Sequence, residues 1–162
     1  MAIVKANYLP RGRTARAAAK YYTFRDGPDR LTRIWHTSDG RAALYDEVQA
    51  ELAAGAAAYA YTYRMVLSTQ AVDLGPAGYH QALAGRFEHY YFIEHHNTAY
   101  PHAHVIGFRH TRVQKAELQD LRRQVHELEQ ARAQDQQHER SQAQIPSRDQ
   151  ASRAHALDQG LS

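Results

Sequence analysis

The segment YYFIEHHNTAYPHAHVIGF contains four histidines. His102 and His104 lie two residues apart in a stretch with the composition of a β-strand, so both imidazoles should project from the same face. If residues 97–100 form a four-residue hairpin loop, His95 faces His102 across two antiparallel strands and shares that face. A register shift of one residue would bring His96 there instead. The sequence therefore predicts a metal site with His102, His104 and either His95 or His96.

Three neutral imidazoles without a carboxylate can hold a divalent cation that also accepts an oxygen of a phosphodiester. The chain has no cysteine, which excludes thiolate zinc sites and thiol nucleophiles. A structural zinc site is the alternative, but such sites usually close with four ligands, and the sequence offers no obvious fourth. The pattern therefore favours metal-assisted phosphoryl transfer.

The elements that must position these histidines follow from hydrophobic periodicity and turn residues. Predicted strands cover residues 3–8, 31–37, 59–68, 90–96 and 101–108, and predicted helices cover 14–24, 41–54 and, with a weaker pattern, 77–88. Short strands mixed with helices in this order predict an α+β fold, with an antiparallel sheet of about five strands and helices packed on it. The metal site would lie on the exposed face of the central hairpin.

The last third of the chain has a different composition. Leu118, Leu121, Val125 and Leu128 recur at spacings of three and four, which predicts an amphipathic helix over residues 113–130 that docks on the preceding domain, residues 1–112. Residues 131–162 are almost devoid of large apolar side chains, so we expect a frayed helix or disorder there.

Charge is concentrated near the start of the chain, which carries nine basic against three acidic residues through Arg41. Tyrosines, phenylalanine and tryptophan are interspersed among them, a combination typical of nucleic-acid binding. The basic residues expected to hold DNA are Arg11, Arg13, Arg16, Lys20 and Arg25. No apolar run approaches the roughly 18 residues of a membrane span, and the first residues lack a secretory pattern, so we expect no membrane partner and a cytoplasmic location.

The string HHNTAYPHAH resembles the third motif of plasmid relaxases, the His-hydrophobic-His (HUH) nicking endonucleases of conjugation and mobilisation. The matching residues are His95, Asn97, Thr98, Pro101, His102 and His104. Residues 63–68, YRMVLS, resemble the core strand that precedes this motif, and residues 22–27, YTFRDG, resemble the segment with the nucleophile. The likeness covers about residues 2–110. The chain departs from many relatives in having Asn97 and Ala99 where they carry aspartates.

The resemblance implies a site- and strand-specific nickase that rejoins the strand it cuts, with Mg²⁺ or Mn²⁺ at the histidines. A tyrosine hydroxyl attacks single-stranded DNA at a transfer origin and forms a 5′-phosphotyrosyl intermediate. Counting back from Arg25 selects Tyr22 as nucleophile, whereas matching a preceding lysine selects Tyr21. Relaxosome accessory proteins and a coupling protein are further partners that the resemblance implies.

Two other functions are compatible with the sequence. One is a rolling-circle replication initiator or transposase of the same superfamily, although in those groups the tyrosine generally follows the histidine motif. The other is a non-catalytic DNA-binding accessory or decayed relaxase, which the residues at positions 97 and 99 would suit.

Overall fold

The computed structural model describes residues 2–10 and 15–144. Six antiparallel strands form one sheet in the order β1-β4-β6-β5-β2-β3. The strands are β1 (Ile3–Leu9), β2 (Trp35–Thr37), β3 (Ala42–Ala43), β4 (Tyr61–Ser68), β5 (His89–His95) and β6 (His102–Arg109). The helices are α1 (Ala15–Phe24), α2 (Tyr45–Ala58), α3 (Gly75–Leu83) and α4 (Lys115–Ala143).

Helices cover both faces of the sheet. On one face α1 and α2 pack around Trp35, Leu52 and Ile106. On the other face α3 and α4 pack around Phe92 and Val125. The central strands β5 and β6 are therefore buried on both sides, which explains why they read as nearly continuous apolar runs rather than as alternating ones.

The predicted α+β class is confirmed, with six strands where about five were expected. The additional strand is β3, a two-residue segment that pairs with β2 and lies within the predicted helix 41–54. The helix itself begins at Tyr45, where the Glu47 carboxylate accepts a hydrogen bond from the Leu44 amide (2.8 Å) and so caps the first turn. Of the predicted strand 31–37, only Trp35–Thr37 pairs as a strand, because Arg30–Thr32 forms a 3₁₀ turn.

Helix α4 begins at Lys115, two residues after the start of the predicted amphipathic segment 113–130, and continues beyond the end of that segment to Ala143. Leu121 and Val125 are buried against the sheet, as their spacing predicted. Residues 145–162, and with them most of the expected tail, lie outside the described residues. Within the described part of the chain, no helix combines the length and the apolar character needed to cross a membrane.

Candidate metal centre

The β5–β6 hairpin brings three histidines to one face of the sheet. His95 pairs with His102, and Ile93 pairs with His104, which is the register that a four-residue loop predicted. Because side chains alternate along a strand, His95, His102 and His104 all point toward α1, and His96 does not join them. These three residues are called the histidine cluster below.

The imidazoles of the histidine cluster are close enough to share one ion. One ring nitrogen from each lies within 4.8 Å of the others, and the ring centroids are separated by 4.6 to 5.5 Å. His95 is fully buried, His104 is nearly so, and His102 is partly exposed. The cluster thus has an enclosed base and one side open to solvent.

The hydrogen bonds of these rings leave nitrogen lone pairs free. The Nε2 of His95 donates to the Tyr22 carbonyl (2.8 Å), and Nδ1 of His102 donates to the Tyr100 carbonyl (3.1 Å). Among the described residues, Nδ1 of His95 and both ring nitrogens of His104 are buried without a partner. A buried imidazole nitrogen whose lone pair has no partner is costly in a protein interior, and a cation bound at that lone pair would remove the cost, so the cluster can hold a metal ion.

Burial also keeps two of the imidazoles neutral. It lowers the pKa of His95 to about 4, and the positive charge of Arg33 acts in the same direction. It lowers the pKa of His104 to about 3, helped by His95 and His102. A neutral imidazole is the form that binds a metal, so both rings are ready to coordinate at neutral pH.

Tyr22 contacts the histidine cluster in two ways. Its ring stacks on His104 with a centroid separation of 4.0 Å and an interplanar angle of 16°, while its carbonyl holds His95. Tyr21 is the neighbouring ring, 6.0 Å from Tyr22, and it is 55% exposed, with the Arg25 guanidinium 5.6 Å from its centroid. Of the two predicted nucleophiles, the structure therefore places Tyr22 against the histidines and Tyr21 at the surface.

The phenol of Tyr22 is held in its protonated form. Burial raises the pKa of its hydroxyl, and the Arg64 guanidinium opposes this by its charge and by hydrogen bonding. Arg64 is on β4 opposite Ile106, so it shares the face of His104. Arg64 is not among the site residues predicted from the sequence, because periodicity does not reveal that β4 lies beside β6 in the sheet.

An ion pair fixes the end of α1 beneath the histidine cluster. Nη1 of Arg33 donates to the carbonyls of Tyr22 (3.2 Å), Thr23 (3.4 Å) and Arg25 (2.6 Å). Nη2 donates to Asp29 Oδ1 (2.8 Å), and the Arg33 side chain is only 1% exposed. The pair thus caps the C-terminal carbonyls of the helix that carries Tyr22. Sequence reasoning missed this role too.

The predicted DNA-binding residues divide into three groups. Lys20 is exposed on α1 and Arg25 is exposed directly after its end, where it is near enough to help lower the pKa of His104. Arg16 bonds Gln49 of α2 through Nε (2.9 Å). Arg11 and Arg13 lie outside the described residues.

The loop residues of the predicted motif are also close to the cluster. The side-chain oxygen of Asn97 is buried without a partner in the described part of the chain. Thr98 Oγ1 donates to the Tyr100 carbonyl (2.8 Å), which is the group that orients His102. Thr98 therefore supports the carbonyl that orients His102.

Glu94 lies on the opposite face of β5, where it approaches Asp73 and His96. These three residues are called the carboxylate cluster below, and they too could hold a metal ion.

Comparison with protein-family models, with curated proteins and with solved structures gives no significant match for this chain. The function of the histidine cluster is therefore inferred from its own geometry.

Proposed function

We propose that this protein is a metal-dependent relaxase, which nicks and rejoins single-stranded DNA at a transfer origin through Tyr22. The observation that carries the proposal is the stacking of the Tyr22 ring on His104, within a cluster of three imidazoles that have unpaired nitrogens. A tyrosine beside a cationic site suits attack on a phosphodiester, and the absence of cysteine leaves tyrosine as a reasonable nucleophile.

The chemistry follows from the placement of these groups. The histidine cluster would hold Mg²⁺ or Mn²⁺, which supplies Lewis-acid polarisation of a phosphate oxygen. The Tyr22 oxygen forms a bond to phosphorus as the bond from phosphorus to the 3′ oxygen breaks, and the phenolic proton is in net terms transferred to that 3′ oxygen, which leaves as a free hydroxyl. The Arg64 guanidinium favours the phenolate, which offsets part of the effect of burial. Reversal of the same steps rejoins the strand.

The exposed surface of α1 and of the residue directly after it is suited to binding single-stranded DNA. Lys20 and Arg25 can pair with phosphates, and the exposed Tyr21 ring offers a surface on which a base can stack. This assigns different roles to the two adjacent tyrosines, with Tyr22 as nucleophile and Tyr21 as a DNA contact.

The first prediction concerns these two tyrosines. Single-stranded oligonucleotides that tile both strands of the DNA around the coding sequence, labelled at the 3′ end, are incubated with the protein and Mn²⁺ or Mg²⁺. We expect a labelled protein adduct that survives denaturing electrophoresis, because the enzyme stays attached to the 5′ phosphate of the labelled fragment. Tyr22→Phe should abolish the adduct, whereas Tyr21→Phe, which keeps the ring on which a base can stack, should retain both the adduct and DNA binding.

The opposite pattern, an adduct lost in Tyr21→Phe and kept in Tyr22→Phe, would show that the nucleophile is misassigned. Tight DNA binding without any adduct across divalent metals would instead indicate a non-catalytic DNA-binding protein. A chelator added before the DNA should prevent the wild-type protein from forming the adduct, and excess Mn²⁺ should restore adduct formation.

A further inference from the structure

The carboxylate cluster lies on the face of the sheet opposite the histidine cluster. Glu94 and His96 flank His95 in sequence and, by strand alternation, point away from it. Asp73 reaches them from the segment between β4 and α3. One ligand atom from each of the three residues lies within 4.8 Å of the others, and Nε2 of His96 is 2.7 Å from Oδ2 of Asp73.

We propose that Asp73, Glu94 and His96 form a second divalent-cation site that binds a transition-metal ion such as Mn²⁺. This site is independent of the histidine cluster and of the nicking activity proposed for it. Its donors are two carboxylates and one imidazole, a mixed oxygen and nitrogen set that suits Mn²⁺ well.

Two enclosed polar groups at this cluster lack partners. The Oε1 atom of Glu94 is buried without a hydrogen bond among the described residues, and so is the hydroxyl of Tyr79, a residue with no exposed surface. The Thr69 hydroxyl beside Tyr79 already donates to the Val72 carbonyl (2.6 Å). Unpaired groups of this kind point to a missing ligand, because leaving them unsatisfied is costly.

The electrostatics of the cluster also favour a cation. Two carboxylates, those of Asp73 and Glu94, lie close together here, and His96 and Arg132 are near enough to interact with the Glu94 carboxylate. Asp73 and Glu94 are also near enough to the Tyr79 hydroxyl to interact with it electrostatically. A divalent ion would offset the repulsion between the carboxylates.

The segment that supplies Asp73 is held in place before any ion binds. Oδ1 of Asp73 accepts a hydrogen bond from the Gly75 amide (3.0 Å). Oε1 of Glu129, from α4, accepts hydrogen bonds from the amides of Gln70 and Ala71, both at 2.6 Å. An ion here would join this segment to the end of β5, directly beside His95, and would stiffen the strand end that supplies one ligand of the histidine cluster.

The test measures free Mn²⁺ by its sharp electron paramagnetic resonance signal. The number of bound ions per chain is the total Mn²⁺ minus the free Mn²⁺, divided by the protein concentration. The full chain should bind two ions. The double variant His102→Gln/His104→Gln should bind one, and Asp73→Asn/Glu94→Gln should also bind one, with an affinity at the altered site reduced at least about tenfold. Combining all four substitutions should leave none. Asp135→Asn, which removes an exposed carboxylate from α4, is the matched control and should leave two.

A second variant tests the site without removing a ligand. Arg132 is exposed on α4 and its charge opposes cation binding, so Arg132→Gln should tighten the second site and leave the histidine cluster unchanged. Arg140→Gln, further along the same helix, should alter neither affinity. This comparison decides the question if circular dichroism shows that the ligand variants are unfolded.

The proposal is overturned if Asp73→Asn/Glu94→Gln binds as many ions as the wild type, or if Arg132→Gln leaves both affinities unchanged. A chain that binds one ion, lost only with Asp73 and Glu94, would support the second site and contradict metal binding by the histidine cluster. The two proposals can therefore fail separately.

Discussion

His95 and His104 are buried histidines whose neutral form the fold requires. Their pKa values in the folded chain, about 4 and about 3, lie below the ordinary value near 6.5 expected after unfolding. Between these values the unfolded chain binds protons that the folded chain does not, so the free energy of unfolding falls as the pH falls.

The second prediction follows for the metal-free protein. In the presence of a chelator, the urea concentration at the midpoint of unfolding should be highest above about pH 6.5 and should fall toward pH 5. Each of the two histidines should contribute on the order of 2 kcal/mol to this loss of unfolding free energy. His104→Phe should reduce this loss, since phenylalanine can still stack on Tyr22 and does not titrate. His138→Gln, at an exposed position of α4, is the control and should leave the slope unchanged. Equal slopes for His104→Phe and the wild type would contradict the assignment.

At the scale of elements, the most informative comparison is between two ion pairs with the same spacing. Asp26 pairs with Arg30 and Asp29 with Arg33, each four residues apart. The first pair is exposed, with the Asp26 side chain fully so, whereas the second is almost completely buried and caps α1. Exposed pairs contribute little to stability, while removal of one partner from a buried pair leaves an uncompensated charge.

The third prediction is that Arg33→Met lowers the free energy of unfolding by about 3 to 5 kcal/mol, because Asp29 is left buried without its counterion and the carbonyls at the end of α1 lose their donor. Urea unfolding followed by circular dichroism measures this. Arg30→Met, the matched control, should change the free energy by less than about 1 kcal/mol. Similar losses in both variants would show that the buried pair does not anchor α1.

These pairs also show what the sequence could and could not predict. The register of β5 and β6 could be predicted, because loop length and strand alternation together determine which side chains share a face. The difference between Asp26 and Asp29 could not, since both have an arginine four residues later and only tertiary packing buries one of them. The proximity of Arg64 to Tyr22 likewise depends on β4 lying beside β6, which is a property of the whole sheet.

For the whole molecule, α4 closes one face of the sheet and is part of the core rather than an appendage. Leu121 and Val125 are buried among residues of α3 and the sheet, and Glu129 is 2% exposed while it bonds two backbone amides. Burial of each large apolar side chain contributes roughly 1.5 to 3 kcal/mol. Loss of the helix would therefore remove a large part of the few kcal/mol that keep a domain folded.

The fourth prediction compares two truncations. A chain that ends after Gln134 keeps every buried residue of α4 and one further turn, so its thermal midpoint should stay close to that of the full chain. A chain that ends after Arg112 should fail to unfold cooperatively and should bind a hydrophobic dye, because one apolar face of the sheet is uncovered. Cooperative melting of the shorter chain would show that α4 is dispensable, contrary to its burial.

Tyr22 has a structural role in addition to the catalytic role proposed for it: its carbonyl accepts a hydrogen bond from His95, and its ring stacks on His104. Mutagenesis at this position must therefore separate two kinds of damage. Tyr22→Phe removes only the hydroxyl oxygen and keeps the ring that stacks on His104. A loss of DNA nicking in this variant would therefore be due to the missing hydroxyl. Tyr22→Ala would also remove the ring that covers His104, so a loss of the proposed activity in that variant could not be assigned to the missing hydroxyl.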